Sequence, residues 1–189
     1  MTAPALDPKV RGHISLIGWT WLIHGVLLLI TPLSLLGLDA MFRLIANSGV
    51  LQQMEPRERA EIEHMSTAME AYLVAIPWVL GLGIVIIPLA ICFLKRVTWS
   101  RSITEVMTWL HLVIVFPGMW WFLLAAPPLS RQFDSRGEPI PGTDWILHIS
   151  HSVTTLAMMG FAIFLLVLTR KPALKAAFSG TVDTPADEA

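Results

Sequence analysis

Apolar residues gather in four long runs along this chain, at residues 14–36, 71–94, 103–126 and 145–168. Crossing a hydrocarbon core of about 30 Å takes about 20 apolar helical residues, and each run reaches that length. Because lipid offers the backbone no hydrogen-bond partners, such runs form helices. The pattern therefore predicts an all-α integral membrane protein, with four transmembrane helices packed as an antiparallel bundle.

A helical segment is also predicted between the first two runs, outside the bilayer on the extracytoplasmic side. Glu55-Pro56 marks its start, because proline suits the first position of a helix. Apolar residues then recur at helical spacing from Ile62 to Leu73, so we expect this helix to continue without a break into the second span.

Three of the prolines inside the predicted spans are Pro77 and Pro88 in the second and Pro117 in the third. Proline removes one backbone donor and its ring clashes with the preceding turn of a helix. Each of the three is therefore expected to kink its helix.

The distribution of lysine and arginine predicts the orientation. One side of the predicted membrane carries eight of them: Lys9, Arg11, Lys95, Arg96, Arg101, Arg170, Lys171 and Lys175. The other side carries five: Arg43, Arg57, Arg59, Arg131 and Arg136. Since positive residues near span ends mark the cytoplasmic side, both termini are expected in the cytoplasm, with the spans in a bacterial inner membrane.

This layout divides the chain into a short cytoplasmic tail at residues 1–10, a four-span domain at 11–172, and a second cytoplasmic tail at 173–189. The second tail has no apolar period and is predicted to be disordered. Composition agrees with a membrane protein, because only 14% of residues are charged against about 25% in soluble domains. A net charge of −1 argues against a nucleic-acid partner, which would select a basic face.

Motifs that define enzymes are missing from the sequence, which has no glycine-rich phosphate loop, HExxH, CxxC pair or nucleophile elbow. No catalytic residue is predicted. The leading interpretation is a non-catalytic accessory or scaffold subunit of a larger membrane assembly, bound to a protein partner or to its own copies as well as to lipid. Gly18 and Gly25 share a helix face where small residues would allow close helix approach, and packing within the bundle is the alternative for that face.

Histidines inside the spans suggest a second function. At 1.5 Å rise per residue, His24 lies about 20 Å beyond Arg11 and His111 about 15 Å beyond Arg101, so the two have comparable depth. Histidine pairs in helical bundles commonly hold haem iron. His24 and His111 are thus candidate axial ligands of haem b, and the alternative function is a b-type haem or quinone-linked electron-transfer subunit.

Other polar residues in or near the spans lead to two further hypotheses. His148 and His151 are three residues apart, a spacing that suits two ligands of copper or zinc, and Met158 or Met159 would add a soft thioether. Ionisable residues in spans also mark transport paths, so a small-solute or proton carrier is a third function. Glu105 follows Arg101 by four residues and is expected to form an ion pair with it.

Overall fold

A computed structural model of the chain describes residues 6–125, 133–138, 140 and 144–179. The helices in this part are α1 (Pro8–Asn47), α2 (Pro56–Leu73), α3 (Ile76–Leu94), α4 (Ser100–Leu110), α5 (Phe116–Ala125), α6 (Asp144–Thr169) and α7 (Pro172–Ser179). A 3-10 turn occupies Val50–Gln53, and a π-helical segment at His111–Val115 joins α4 to α5. The all-α prediction is confirmed for the described residues.

Four of these helical stretches are long and apolar enough to cross a membrane: Pro8–Asn47, Ile76–Leu94, Ser100–Leu124 and His148–Thr169. Each covers one of the predicted apolar runs, so the prediction of four such helices is confirmed. Large apolar side chains remain exposed along them, with Trp78 78% and Trp121 70% exposed. Such surfaces are compatible with contact to a lipid bilayer.

The first helix is longer than its apolar run. α1 has 40 residues and therefore extends about 60 Å at 1.5 Å per residue, about twice the thickness of a hydrocarbon core. Its last turns are held by polar contacts, because the Arg43 guanidinium donates to the Asp39 carboxylate at 2.9 Å. An ion pair four residues apart supports a helix, so α1 continues past the predicted end at residue 36.

The segment between the first two spans begins as predicted but does not run on unbroken. α2 starts at Pro56, whereas it ends at Leu73 and α3 begins only at Ile76. Pro77 explains the break: it has no N–H for the Leu73 carbonyl, and its ring excludes that carbonyl from helical geometry. The prediction of one continuous helix is therefore wrong.

The other two prolines have different effects. Pro117 follows the π-helical segment, in which the Phe116 N–H bonds to the His111 carbonyl five residues back. Because Pro117 cannot bond to the carbonyl of Val113, the wider π turn accommodates the lost hydrogen bond. Pro88 lies inside α3 without ending it.

By its contacts the chain divides into two compact units. The described residues of unit 1 are 6–27, 82–116 and 158–179, and its fully buried side chains include Ile17, Ile86 and Phe93. The C-terminal helix α7 belongs to it, since Phe178 is 4% exposed and its ring lies 4.8 Å from that of Phe93. The predicted disordered tail is thus helical up to Ser179, and its remainder lies outside the described residues.

Unit 1 also holds an ion-pair network. Glu105 accepts from Arg101 at 3.5 Å, as predicted, and from Arg170 at 2.6 Å. Arg170 lies over the Trp109 ring at 5.5 Å, and Arg101 donates to the Thr169 carbonyl at 3.4 Å. The network therefore ties α4 to the end of α6.

Unit 2 comprises the described residues of 28–81 and 117–157. In it the short segment 133–138 packs on α2, with Phe133 buried and its ring 5.5 Å from that of His64. Gly137 has φ +80°, and a Cβ there would lie 2.9 Å from the Pro56 carbonyl oxygen. Glycine is therefore required for this contact. Most of residues 127–144, which follow α5, lie outside the described residues.

Candidate functional site

A cavity of about 220 Å³ lies within unit 1. Its walls come from α1, the π-helical segment with the start of α5, and α6, and they are mostly apolar. The lining residues are Thr20, Trp21, Ile23, His24, Leu27, His111, Phe116, Met158, Phe161, Ala162 and Leu165. Because an apolar cavity with a few converging polar groups is the usual form of a ligand site, we take it as the candidate site.

Three rings form the polar wall of this cavity. The ring centroids of His24 and His111 are 5.3 Å apart, with 71° between the ring planes. The Trp21 ring contacts both, at 4.9 Å from His111 and 5.9 Å from His24. The structure thus brings together the two histidines that the depth argument singled out.

A hydrogen bond fixes which nitrogen of His111 carries the proton. Its Nδ1 lies 2.8 Å from the carbonyl oxygen of Met107. Since a carbonyl only accepts, Nδ1 donates, and in the neutral ring Nε2 keeps a free lone pair. His111 is 1% exposed, so this lone pair is withdrawn from bulk water.

Three buried nitrogen atoms at this site have no hydrogen-bond partner among the described residues: Trp21 Nε1, His24 Nε2 and His111 Nε2. Leaving a buried polar group unpaired costs about 1–3 kcal/mol. Native proteins leave few such groups unpaired, and a cluster of three calls for a physical explanation.

Local backbone structure positions His111. It is the first residue of the π-helical segment, one turn after Thr108, whose hydroxyl donates to the Thr104 carbonyl at 2.7 Å. Single π turns inside α-helices are frequent at functional sites. The sequence signal for this π turn is Pro117, six residues after His111. Proline has no N–H to donate to the carbonyl four residues back, so regular α-helical hydrogen bonding is interrupted there.

Haem does not fit these residues. A metal–nitrogen bond of about 2.0 Å, with about 1.1 Å from nitrogen to ring centre, places two axial imidazoles about 6.2 Å apart across the iron. The His24 and His111 centroids are only 5.3 Å apart. The cavity of about 220 Å³ is also smaller than the roughly 300–1,000 Å³ that enclose drug-sized ligands. The His24–His111 pair is therefore a poor fit for the two axial ligands of haem b.

His148 and His151 lie on α6 in unit 2, and both are half-buried. Their Nδ1 atoms have no hydrogen-bond partner among the described residues. No group of three or more histidine, cysteine, aspartate or glutamate side chains within the described ranges is placed to hold a metal ion. Met158, one of the two predicted thioether ligands, lines the cavity of unit 1 instead. The metal site at His148 and His151 therefore stays a prediction.

Gly18 and Gly25 pack against α3 of the same chain. A Cβ at Gly18 would clash with a Leu94 methyl carbon, and one at Gly25 would lie 2.8 Å from an Ile87 side-chain carbon. Side chains of α3 therefore occupy the space beside both glycines within unit 1. This agrees with the alternative that the glycines pack inside the bundle. The outward interface predicted for these glycines stays a prediction.

Sequence reasoning did not assign Trp21 or Met158 to the site of the His24–His111 pair. Trp21 precedes His24 by three residues and so shares its helix face, a signal that could have found it. Met158 is one of several apolar residues along α6, and no pattern in the sequence distinguishes it from its neighbours. No protein-family model matches the chain, and neither a curated protein nor a solved structure matches it.

Proposed function

We propose that this chain is a non-catalytic integral membrane protein that binds a small ligand between its spanning helices, at the cavity holding Trp21, His24 and His111. The observation that carries the proposal is the set of three buried nitrogen atoms without a partner among the described residues. Apolar side chains of similar size would avoid their desolvation cost. A ligand that contacts the two histidine nitrogens when bound offsets their part of that cost and gives a reason for the polar residues.

The proposed topology is an antiparallel four-helix bundle with both termini in the cytoplasm and α2 on the outer side. It is supported by the lysine and arginine distribution and by the short connection of residues 95–99 between α3 and α4. Reporter fusions after Ala3 and Ala189 should be active as cytoplasmic reporters, and one after Gly137 as an external reporter. The reverse pattern would contradict the topology.

The accessory or scaffold role, with a protein partner or a second copy, stays a prediction. Its candidate interface at Gly18 and Gly25 is occupied by α3, and no other surface in the described residues singles out a partner. Quinone-linked electron transfer and solute or proton transport likewise stay predictions. A small ligand at the histidine pair is compatible with each of these roles.

Native mass spectrometry tests the binding proposal, because it detects a bound molecule of any chemical class by its mass. Protein extracted in mild detergent from its own membrane should carry an additional non-protein mass. The double variant His24→Leu/His111→Leu should lose that mass, because both histidine nitrogens are gone. His13→Leu is the matched control, since His13 is on the same helix but does not line the cavity, and it should retain the mass. Wild-type protein without added mass, or a double variant that keeps it, would contradict the proposal.

A further inference from the structure

The cavity presents a third atom suited to metal binding besides the two histidine nitrogens. Met158, on α6, lines the same cavity as His24 on α1 and His111 on the π-helical segment. We propose that the site binds one monovalent copper ion through His24 Nε2, His111 Nε2 and the sulfur of Met158. This inference rests on the proposed function, because it names the ligand of that same site.

The spacing of the two imidazoles matches shared coordination of one ion. A metal–nitrogen bond of about 2.0 Å places each ring centroid about 3.1–3.2 Å from the ion. The observed centroid separation of 5.3 Å then corresponds to an angle of about 115° at the ion. This value lies between tetrahedral and trigonal geometry.

The protonation of His111 is the one that a metal ligand requires. Its Nδ1–H donates to the Met107 carbonyl at 2.8 Å, which orients the ring and leaves the lone pair on Nε2. Histidines that bind metals almost always donate their second nitrogen to a carbonyl, a carboxylate or water in this way. The Nε2 of His111 therefore has a free lone pair that can coordinate an ion.

Burial favours an ion over a bulky organic ligand. The two Nε2 atoms are buried although their side chains line the cavity. A single ion coordinated by both Nε2 atoms would satisfy both buried lone pairs at once. Trp21 packs on both rings, at 5.9 Å from His24 and 4.9 Å from His111.

Charge and softness select monovalent copper among metal ions. No acidic side chain lines the cavity, so all three ligands are neutral and the ion keeps its full charge. The cost of burying an ion rises with the square of its charge, which disfavours divalent ions in an apolar site. Thioether sulfur is a soft ligand that selects Cu(I), and imidazole suits copper as well. Zinc sites, by contrast, almost always have four ligands or three with water.

An anaerobic titration of purified protein with Cu(I), in competition with a chromophoric Cu(I) chelator, tests the proposal. Wild-type protein should bind one Cu(I) per chain. His24→Leu or His111→Leu should lower the affinity at least about 100-fold, since loss of outer hydrogen-bond partners alone costs about 10–100-fold. Met158→Leu should lower it by about 10-fold or more. Met159→Leu is the matched control, because Met159 is adjacent on α6 but does not line the cavity, and its affinity should equal that of the wild type.

X-ray absorption on the copper-loaded wild type supplies a test that needs no variant. It should show two nitrogen neighbours at about 2.0 Å and one sulfur neighbour at about 2.3 Å. Absence of Cu(I) binding, a spectrum without sulfur, or equal affinity of wild type and His111→Leu would overturn the copper proposal. If native mass spectrometry then still shows a different mass that depends on His24 and His111, the binding function stands and only the ligand is wrong.

Discussion

Replacing His111 by leucine should stabilise the ligand-free protein. The substitution removes the buried Nε2 that has no partner among the described residues, and this relieves about 1–3 kcal/mol of desolvation cost. It also removes the hydrogen bond from Nδ1 to the Met107 carbonyl, worth about 0.5–1.5 kcal/mol. That carbonyl is not left unpaired, because it also accepts the backbone N–H of residue 111.

The net expectation is a gain of about 1 kcal/mol in the free energy of unfolding, from the difference of these two terms. For a chain of this size, that gain raises the melting temperature by roughly 2–4 °C. Bound copper should instead make the wild type more stable than His111→Leu. At about 100 times its dissociation constant a ligand stabilises the native state by about 2.7 kcal/mol, and only the wild type would gain this.

Thermal unfolding in detergent, with and without a Cu(I) chelator, measures both effects. His13→Leu serves as the control, because it replaces a partly exposed histidine of α1 outside the cavity and should not respond to copper. A His111→Leu protein that is correctly inserted but unfolds well below wild type in chelator would refute the reasoning. His111 would then be a structural residue whose packing outweighs its unpaired nitrogen.

Two further predictions concern packing in unit 1. Gly18→Leu should destabilise the protein by about 1–3 kcal/mol, because even a Cβ there would clash with the Leu94 side chain. Gly12→Leu is the control: it has open space around it and should change the unfolding temperature little. Equal effects of the two substitutions would contradict the packing. Glu105→Gln should lower the free energy of unfolding by at most about 1 kcal/mol, and by less at high salt, because the Arg170 partner is 55% exposed. Thermal unfolding at two ionic strengths measures this loss. A loss that salt leaves unchanged would contradict the prediction.

The apolar pattern was sufficient to predict the four long helices, because membrane-spanning length and apolar content are properties of sequence alone. The ends of those helices were harder to predict. α1 runs past residue 36 because the Asp39–Arg43 pair supports further turns, and the second span starts late because Pro77 separates it from α2. A helix continues where local support, such as the Asp39–Arg43 ion pair, is present, and it ends where a residue such as Pro77 breaks its hydrogen bonds. The apolar composition of a span does not decide between these two effects.

The candidate site could be predicted only in part. The depth of His24 and His111 follows from helical rise, and comparable depth is sufficient to predict that the two residues can meet. Their separation does not follow from the sequence, because it depends on how the helices tilt and pack. That separation fits a bent two-nitrogen site better than two axial haem ligands. Met158 joins the site through the rotation of α6, which the mostly apolar sequence of that helix leaves undetermined.

Nitrogen NMR of isotope-labelled histidine tests the central claim most directly, because it reports the protonation and bonding of each ring nitrogen. In chelator-treated protein, His111 should show a protonated Nδ1 and an unprotonated Nε2, with its signals assigned by their loss in His111→Leu. Saturation with Cu(I) should shift the Nε2 signals of His24 and His111 together and leave those of His13 unchanged. A protonated Nε2 on His111, or signals of both rings that copper leaves unchanged, would contradict a copper site at this pair.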